Sequence, residues 1–307
     1  MLKAISCLIK RYWHTFFITI CFTLVAVIGY QEYQAFVEQR TIQREVSTGH
    51  LTNQEIHSNG ILVLCYHRVA RRSIFRTITL TLSNNDQIHD YSVTQQQLTQ
   101  QLLFLKKHGV RIISMDKAIK LAKQSKPLRH KYVTLTFDDV DATLPENATP
   151  VLNRLGHLSY LAFIVTGNTG RYDNGTRLAT WPQLKEMRDD SNVTFGVHTY
   201  NMHRLQQNKP LLMYAKNYRW FTRDFWQSEQ ALKEHIGYKS RYFAYPYGEG
   251  TNKEQQYFAR HGIITFSLNN AIIEPGQDLS QPLPRTMIDG DAWQKIVRPW
   301  VLGKVPH

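Results

Sequence analysis

The sequence predicts an α/β fold built around a parallel, barrel-like sheet, and three observations carry that expectation. Short β-branched runs alternate with helical patterns, several helical patterns stop at a glycine, and polar residues recur at the C-terminal ends of the runs. Strands alternating with helices imply βα units and therefore parallel pairing. A glycine just past a periodic segment is a helix stop signal.

Taken in order, the elements begin with an N-terminal segment. Lys3, Lys10 and Arg11 precede a stretch from Tyr12 to Gln31 that contains no Lys, Arg, Asp or Glu, and Glu32 and Glu38 follow it. A membrane span needs about 20 apolar residues and a secretory core about 7–15, and this stretch falls between them. We read residues 1–31 as a signal peptide or membrane anchor, with a buried core helix as the alternative. The flanking charges place the rest of the chain outside the cytoplasm. Residues 32–59 are polar and read as a short helical stalk and a linker. The main domain is expected over 60–307. Its strands are ILVLCYH (61–67), YVTLTFDD (132–139), YLAFIV (160–165), VTFGVHT (193–199), YFAYP (242–246), IITFSL (263–268) and LPRTMI (283–288). Helical patterns lie between them in QQQLTQQLLFLKKHG, ENATPVLNRLG, WPQLKEMRDD, a long stretch around MYAKNYRWFTRDFWQSEQALKEHIG, and NKEQQYFARHG.

Composition removes several classes. With 42% hydrophobic and 20% charged residues the chain of 307 residues is neither disordered nor a coiled coil. A mean hydropathy of −0.39 excludes a multi-span membrane protein. Three cysteines cannot staple a fold, and only Cys65 lies beyond the N-terminal segment, where it reads as a small buried hydrophobe in a strand. The 37 basic against 24 acidic residues give a net charge of +13, which favours anionic partners such as lipid head groups or wall polymers. No zinc finger, RNP-type motif or long Lys/Arg run points to nucleic acid.

Chemistry gathers at the strand ends. His67, Asp138, Asp139, His198, Pro246 and Tyr247 close apolar runs, at the end of an α/β barrel where active sites form. In Thr136-Phe137-Asp138-Asp139 two neighbouring carboxylates repel unless a cation or a proton separates them. One can ligate a metal while the other stays free as a base, although Asp-Asp alone reads more simply as a helix N-cap pair. His198 and His203 can meet one ion if the loop between them curls back. Two His and one Asp make a ligand set that leaves positions open for water and substrate.

The order TFDD, then HTYNMH, then FAYPYG resembles the polysaccharide deacetylase family, carbohydrate esterase family 4 or NodB homology domain, over about residues 60–290. Together with the segment CYHRV (65–69) it is similar to the branch that removes acetyl groups from the poly-β-1,6-N-acetylglucosamine of biofilms. The resemblance implies a distorted (β/α)7 barrel and a metal-dependent hydrolase of acetamides. It implies Asp139, His198 and His203 as metal ligands, for Zn2+ first and Co2+ or Ni2+ otherwise. It implies Asp138 as the general base, His67 as the acid that protonates the leaving amine, and the backbone N–H of Tyr247 as an oxyanion donor aimed by Pro246. Thr199 is expected to buttress the loop.

The sequence departs from the family at three places. The Arg usual two residues before the motif proline is replaced by Ala244, the nearest being Arg241. The usual Asp-Trp motif that holds the base is absent, and so is the C-terminal Leu-x-His motif, whose role His67 would take. Arg285, at the end of the last run, is the candidate to orient Asp138, with a surface arginine as the alternative. Between His67 and the helix at Gln95, Arg71, Arg72 and Arg76 interleave with Ile74, Phe75, Ile78 and Leu80. That segment reads either as a hairpin over the barrel end or as a membrane-surface contact.

The expected function is removal of N-acetyl groups from an extracellular poly-N-acetylglucosamine, by a monomer at the cell surface, secreted or anchored. Deacetylation of peptidoglycan or chitooligosaccharides is the alternative within the family. A glycan-binding adhesion module is the alternative outside catalysis.

Overall fold

A computed structural model describes residues 13, 16, 19–27, 29–30, 49–71, 92–173, 176–190 and 192–305. Seven strands form its centre: β1 (Ile61–Tyr66), β2 (Tyr132–Phe137), β3 (Tyr160–Ile164), β4 (Val193–Val197), β5 (Tyr242–Ala244), β6 (Ile264–Phe266) and β7 (Thr286–Met287). Their spatial order is β6-β5-β4-β3-β2-β1-β7, and every pair in it is parallel. A parallel bridge from Phe266 to Leu283 brings the two ends of the path together. Its bonds are Ser267 N–H to Leu283 O at 2.9 Å and Leu283 N–H to Thr265 O at 2.8 Å. The chain thus winds once around a distorted barrel, as the sequence predicts.

The strands read as continuous apolar runs because both faces are covered. Alternate residues of β1 divide between two clusters. Leu62, Leu64 and Tyr66 pack outward with Leu98 and Leu102 of helix α2 (Gln95–Lys107). Ile61 and Val63 pack with Phe163, Phe266 and Leu283. That second cluster also holds Met115 and Ile119 of helix α3 (Met115–Ala122), beside Ile61, Tyr132 and Tyr242. These three are the first residues of β1, β2 and β5, so α3 packs at the N-terminal ends of the strands. The sequence reading names no helix at 115–122, although Ser114 caps it and its buried positions follow helical spacing.

Further helices among the described residues include α4 (Thr149–Arg154), α5 (Trp181–Asp189), α6 (Tyr218–Ile236) and α7 (Asn252–Arg260). Capping boxes start α2, α5 and α7, at Thr94, Thr180 and Thr251, and Gly237 in the left-handed conformation ends α6. A C-terminal helical segment, unread in the sequence, buries Trp293 and Trp300.

One expectation about the N-terminal part needs revision. Within the stretch read as stalk and linker, a short helix α1 (Asn53–His57) has its own capping box, and Leu51 and Ile56 are buried in the core. The packed body therefore begins ahead of residue 60. The hydrophobic stretch at 12–31 is described only in part. Among the described residues no helix is long and apolar enough to cross a membrane. Arg72 and Arg76 lie outside the described residues. Arg71 donates from Nε to Asn147 Oδ1 at 2.9 Å, which ties it to the body of the protein.

Candidate active site

The residues singled out in the sequence meet at the C-terminal end of the barrel. Asp138 and Asp139 follow β2 directly, and Asp138 N–H bonds to Tyr66 O at 2.9 Å, so the ladder with β1 continues to the first carboxylate. His198 follows β4 in the same way, through its N–H to Ile164 O at 2.9 Å. Beyond these last bonds the backbone turns sharply. Asp139, Val140, Thr199 and Tyr247 all have positive φ, between 50° and 76°. Side chains other than glycine rarely adopt this region, and such strain concentrates at functional sites.

Asp138 and Arg285 form a buried, two-pronged ion pair. Nη1 donates to Oδ1 at 2.6 Å and Nη2 to Oδ2 at 2.8 Å, and the guanidinium also donates from Nε to Ser267 O at 3.0 Å. Arg285 is 0% and Asp138 2% exposed. The sequence reading puts Arg285 at the end of the last strand. It actually precedes β7 and reaches up through the interior, with its guanidinium over the rings of Phe163 at 5.1 Å and Phe266 at 5.9 Å. A surface arginine is ruled out. Burial would raise the Asp138 pKa, but Arg285 and His198 outweigh it and hold the carboxyl well below its usual range. Arg241, the other arginine considered, lies elsewhere and pairs with Asp116 at 2.6 Å.

Asp139, His198 and His203 present their donor atoms to one another within 4.8 Å. Nε2 of His203 is 3.3 Å and Nε2 of His198 3.7 Å from Asp139 Oδ1. His198 Nδ1 donates to Ala244 O at 2.8 Å, an assignment fixed by the carbonyl being an acceptor only. That contact leaves Nε2 with its lone pair toward Asp139, the arrangement typical of a metal-ligating imidazole. Asp139 Oδ1 is buried and accepts no hydrogen bond. An orphaned carboxylate oxygen facing two imidazole nitrogens fits a divalent cation of the zinc type. Burial lowers the His198 pKa to about 4, against the pull of Asp138, so the ring is neutral, as a ligand must be.

His67 follows β1, and its ring nitrogen lies within 4.8 Å of both Cys65 Sγ and an Asp138 oxygen. Burial lowers its pKa, opposed by the charges of Asp138 and Asp139. Tyr247 is 4% exposed and its ring lies 5.0 Å from that of His203. Its backbone takes φ 59° and ψ 12°, in the left-handed region. Gly248 follows at φ +79°, where a Cβ would come within 2.8 Å of Leu268 N. Thr199 Oγ1 accepts from Met202 N–H at 3.2 Å, consistent with a buttress.

Sequence reasoning missed three contributors. Ala244, noted only for not being arginine, supplies the carbonyl that orients His198. Gly167 lies so close to Tyr200 that a Cβ would approach its carbonyl oxygen to 2.3 Å. Asp224 of α6 binds the loop between the two histidines. Only Asp224 leaves a trace in the sequence, as a carboxylate at helical spacing among Phe221, Ser228 and Leu232, all buried positions of one face.

Comparison with known proteins gives a consistent result. A model of the polysaccharide deacetylase family matches residues 125–266. The poly-beta-1,6-N-acetyl-D-glucosamine N-deacetylase of Staphylococcus epidermidis is 28% identical over 244 residues, which cover 79% of this chain and 83% of that protein. The structure of IcaB from Ammonifex degensii is 31% identical with a TM-score of 0.69, over 82% of this chain and 99% of that one. The Streptococcus pyogenes deacetylase PplD, solved in complex with acetate, shares the fold at 22% identity and a TM-score of 0.62, over 81% of this chain and 100% of its own.

Proposed function

Because the chain belongs to the polysaccharide deacetylase family, we propose that it hydrolyses the N-acetyl groups of poly-β-1,6-N-acetylglucosamine, releasing acetate and leaving a partly cationic polymer. The observation that carries this reading is the buried, unbonded Oδ1 of Asp139 facing Nε2 of His203 and of His198. The substrate follows from the relatives matched over most of the chain, which are named for that polymer.

An acetamide is a poor electrophile and water a poor nucleophile, so both need help. Asp138 is ionised and held in one plane by Arg285, ready to accept a proton from an attacking water. The same ion pair makes it a weak base. A divalent cation on Asp139, His198 and His203, Zn2+ in our reading with Co2+ or Ni2+ as alternatives, would supply the Lewis acidity that acidifies water and polarises the acetyl carbonyl. His67, on the Asp138 side of the cluster, gives a proton to the departing amine, which leaves as a neutral group. The backbone N–H of Tyr247 is our choice of donor to the oxyanion that develops on the acetyl carbonyl. Arg285 acts through Asp138 and is a positioning residue.

We place the reaction outside the cytoplasm, at the cell surface, and treat the protein as a monomer. The basic start and the uncharged stretch after it support export. A net charge of +13 supports attraction to an anionic membrane surface or wall polymer. Acetate release measured on acetylated β-1,6-glucosamine oligomers, chitooligosaccharides and peptidoglycan tests the proposal. The β-1,6 oligomers should be cleaved fastest. Faster release from either of the others would reassign the substrate, and no release from any would return the protein to a binding role.

A further inference from the structure

His198 and His203 can share an ion only if the four residues between them hold a tight curl. The backbone there begins at Thr199 with φ +76°, a conformation a β-branched residue does not adopt unaided. Contacts on both sides maintain it. Thr199 O accepts from Thr166 N–H at 3.1 Å and Tyr200 O from Gly167 N–H at 3.0 Å. On the other side the N–H groups of Tyr200 and Asn201 point together into the protein, and a single carboxylate receives both. Tyr200 N–H donates to Asp224 Oδ1 at 2.7 Å and Asn201 N–H to Asp224 Oδ2 at 2.7 Å.

Asp224 is 1% exposed and rides on α6, whose Phe221, Phe225 and Leu232 are sunk in the core. It is thus a fixed post, set on a helix rather than on the strands that carry the other functional side chains. Here the two adjacent N–H donors meet two separate oxygens side by side. A carboxylate has them, whereas an amide offers one oxygen and turns an NH2 group against the second donor.

We propose that Asp224 is the positioning residue of the metal centre, setting the His198-to-His203 loop so that both imidazoles face one ion. The inference rests on the metal reading of Asp139, His198 and His203, and goes beyond it by assigning ion affinity to a carboxylate that is not a ligand. Groups that orient ligands typically change metal affinity or activity by about 10–100-fold when removed.

The test is Zn2+ affinity, measured by competition with a chromophoric chelator, for the wild type, Asp224→Asn and Asp224→Ala, alongside the thermal unfolding midpoint of each metal-free protein. Asp224→Asn, nearly isosteric, should fold and bind Zn2+ about 10–100-fold more weakly. Asp224→Ala should be at least as weak, and Asp224→Glu should recover part of the loss. Gly167→Ala, which presses on the same loop from the opposite side without touching the carboxylate, should also weaken Zn2+ binding. If Asp224→Asn lowers the midpoint but binds Zn2+ as tightly as the wild type, the residue only supports the fold and the proposal is overturned. It is equally overturned if no Asp224 variant folds. A wild type that binds no Zn2+ would instead remove the metal reading itself.

Discussion

Arg285 carries a full charge into a site with no exposed surface, and Asp138 is what makes that tolerable. Breaking one half of such a pair leaves the other charge buried alone, at a cost of about 3–5 kcal/mol. Arg285→Met should therefore lower unfolding stability in urea by about that amount, while Asp138→Asn combined with Arg285→Met should regain a large part of it and stay inactive. A double variant no more stable than Arg285→Met would show that the pair is not the source of the loss. Asp138→Asn alone should keep bound metal and lose about 10²–10⁴-fold in kcat/KM, and His67→Ala should behave alike. A His67→Ala protein with full turnover would move the acid to another group. At this scale much was legible: TFDD and HTYNMH gave both carboxylates and both imidazoles. Arg285 was found through its position near the last strand, but not its path through the interior, which depends on Phe163 and Phe266 leaving room. Asp224 was missed because a lone acid in a long helix ordinarily faces water, and only its apolar neighbours on the same face argue otherwise.

At the scale of elements, β3 and β4 show how the barrel interior supports the site. Gly196 of β4 lies opposite Phe163 of β3, and a Cβ there would sit 2.3 Å from the Phe163 ring. That ring underlies the Arg285 guanidinium. Gly196→Ala should cost about 1–3 kcal/mol through overpacking and reduce activity by displacing Arg285. Wild-type stability and turnover in that variant would show that the interior adapts freely. Helix α7 offers a second check. Its Glu254 is 1% exposed, and burial pushes its pKa up to about 7 despite the capping contacts from Thr251. The unfolded value is about 4.3, so the folded protein holds the extra proton between the two. The stabilisation is complete below about pH 4.3 and is lost as pH rises through about 7. Glu254→Gln should flatten the fall of the unfolding midpoint across that window without abolishing it, because Glu229 is also raised to about 7. An unchanged pH slope would count against the assignment. The strands were legible as apolar runs because both their faces are buried, whereas α1 and α3 are short and were hidden among polar residues. Their caps, Thr52 with Glu55 and Ser114, were the readable signals.

For the whole molecule, charge and topology bear on how a polymer passes the site. A protein of net charge +13 repels the ammonium groups that deacetylation creates. Exposed charges are screened beyond about 10 Å at 0.1 M salt. Turnover on partly deacetylated polymer should therefore fall with its degree of deacetylation at low ionic strength and recover when salt is added. A rate independent of both would show that the global charge plays no part. The barrel itself was foreseeable from seven runs in sequence, since consecutive parallel strands commonly lie side by side. The closure of β6 on β7 through Leu283 was not, because one bridge leaves no pattern. The central claim is that a cation on Asp139, His198 and His203 drives acetamide hydrolysis at the barrel end. It is tested most directly by measuring bound metal and acetate release together on β-1,6-N-acetylglucosamine oligomers, before chelation, after it, and after Zn2+ is returned. Close to one metal per chain is expected, with loss of both metal and activity on chelation, recovery of both with Zn2+, and no recovery in His203→Ala. Full acetate release from metal-free protein, or from His203→Ala, would contradict it.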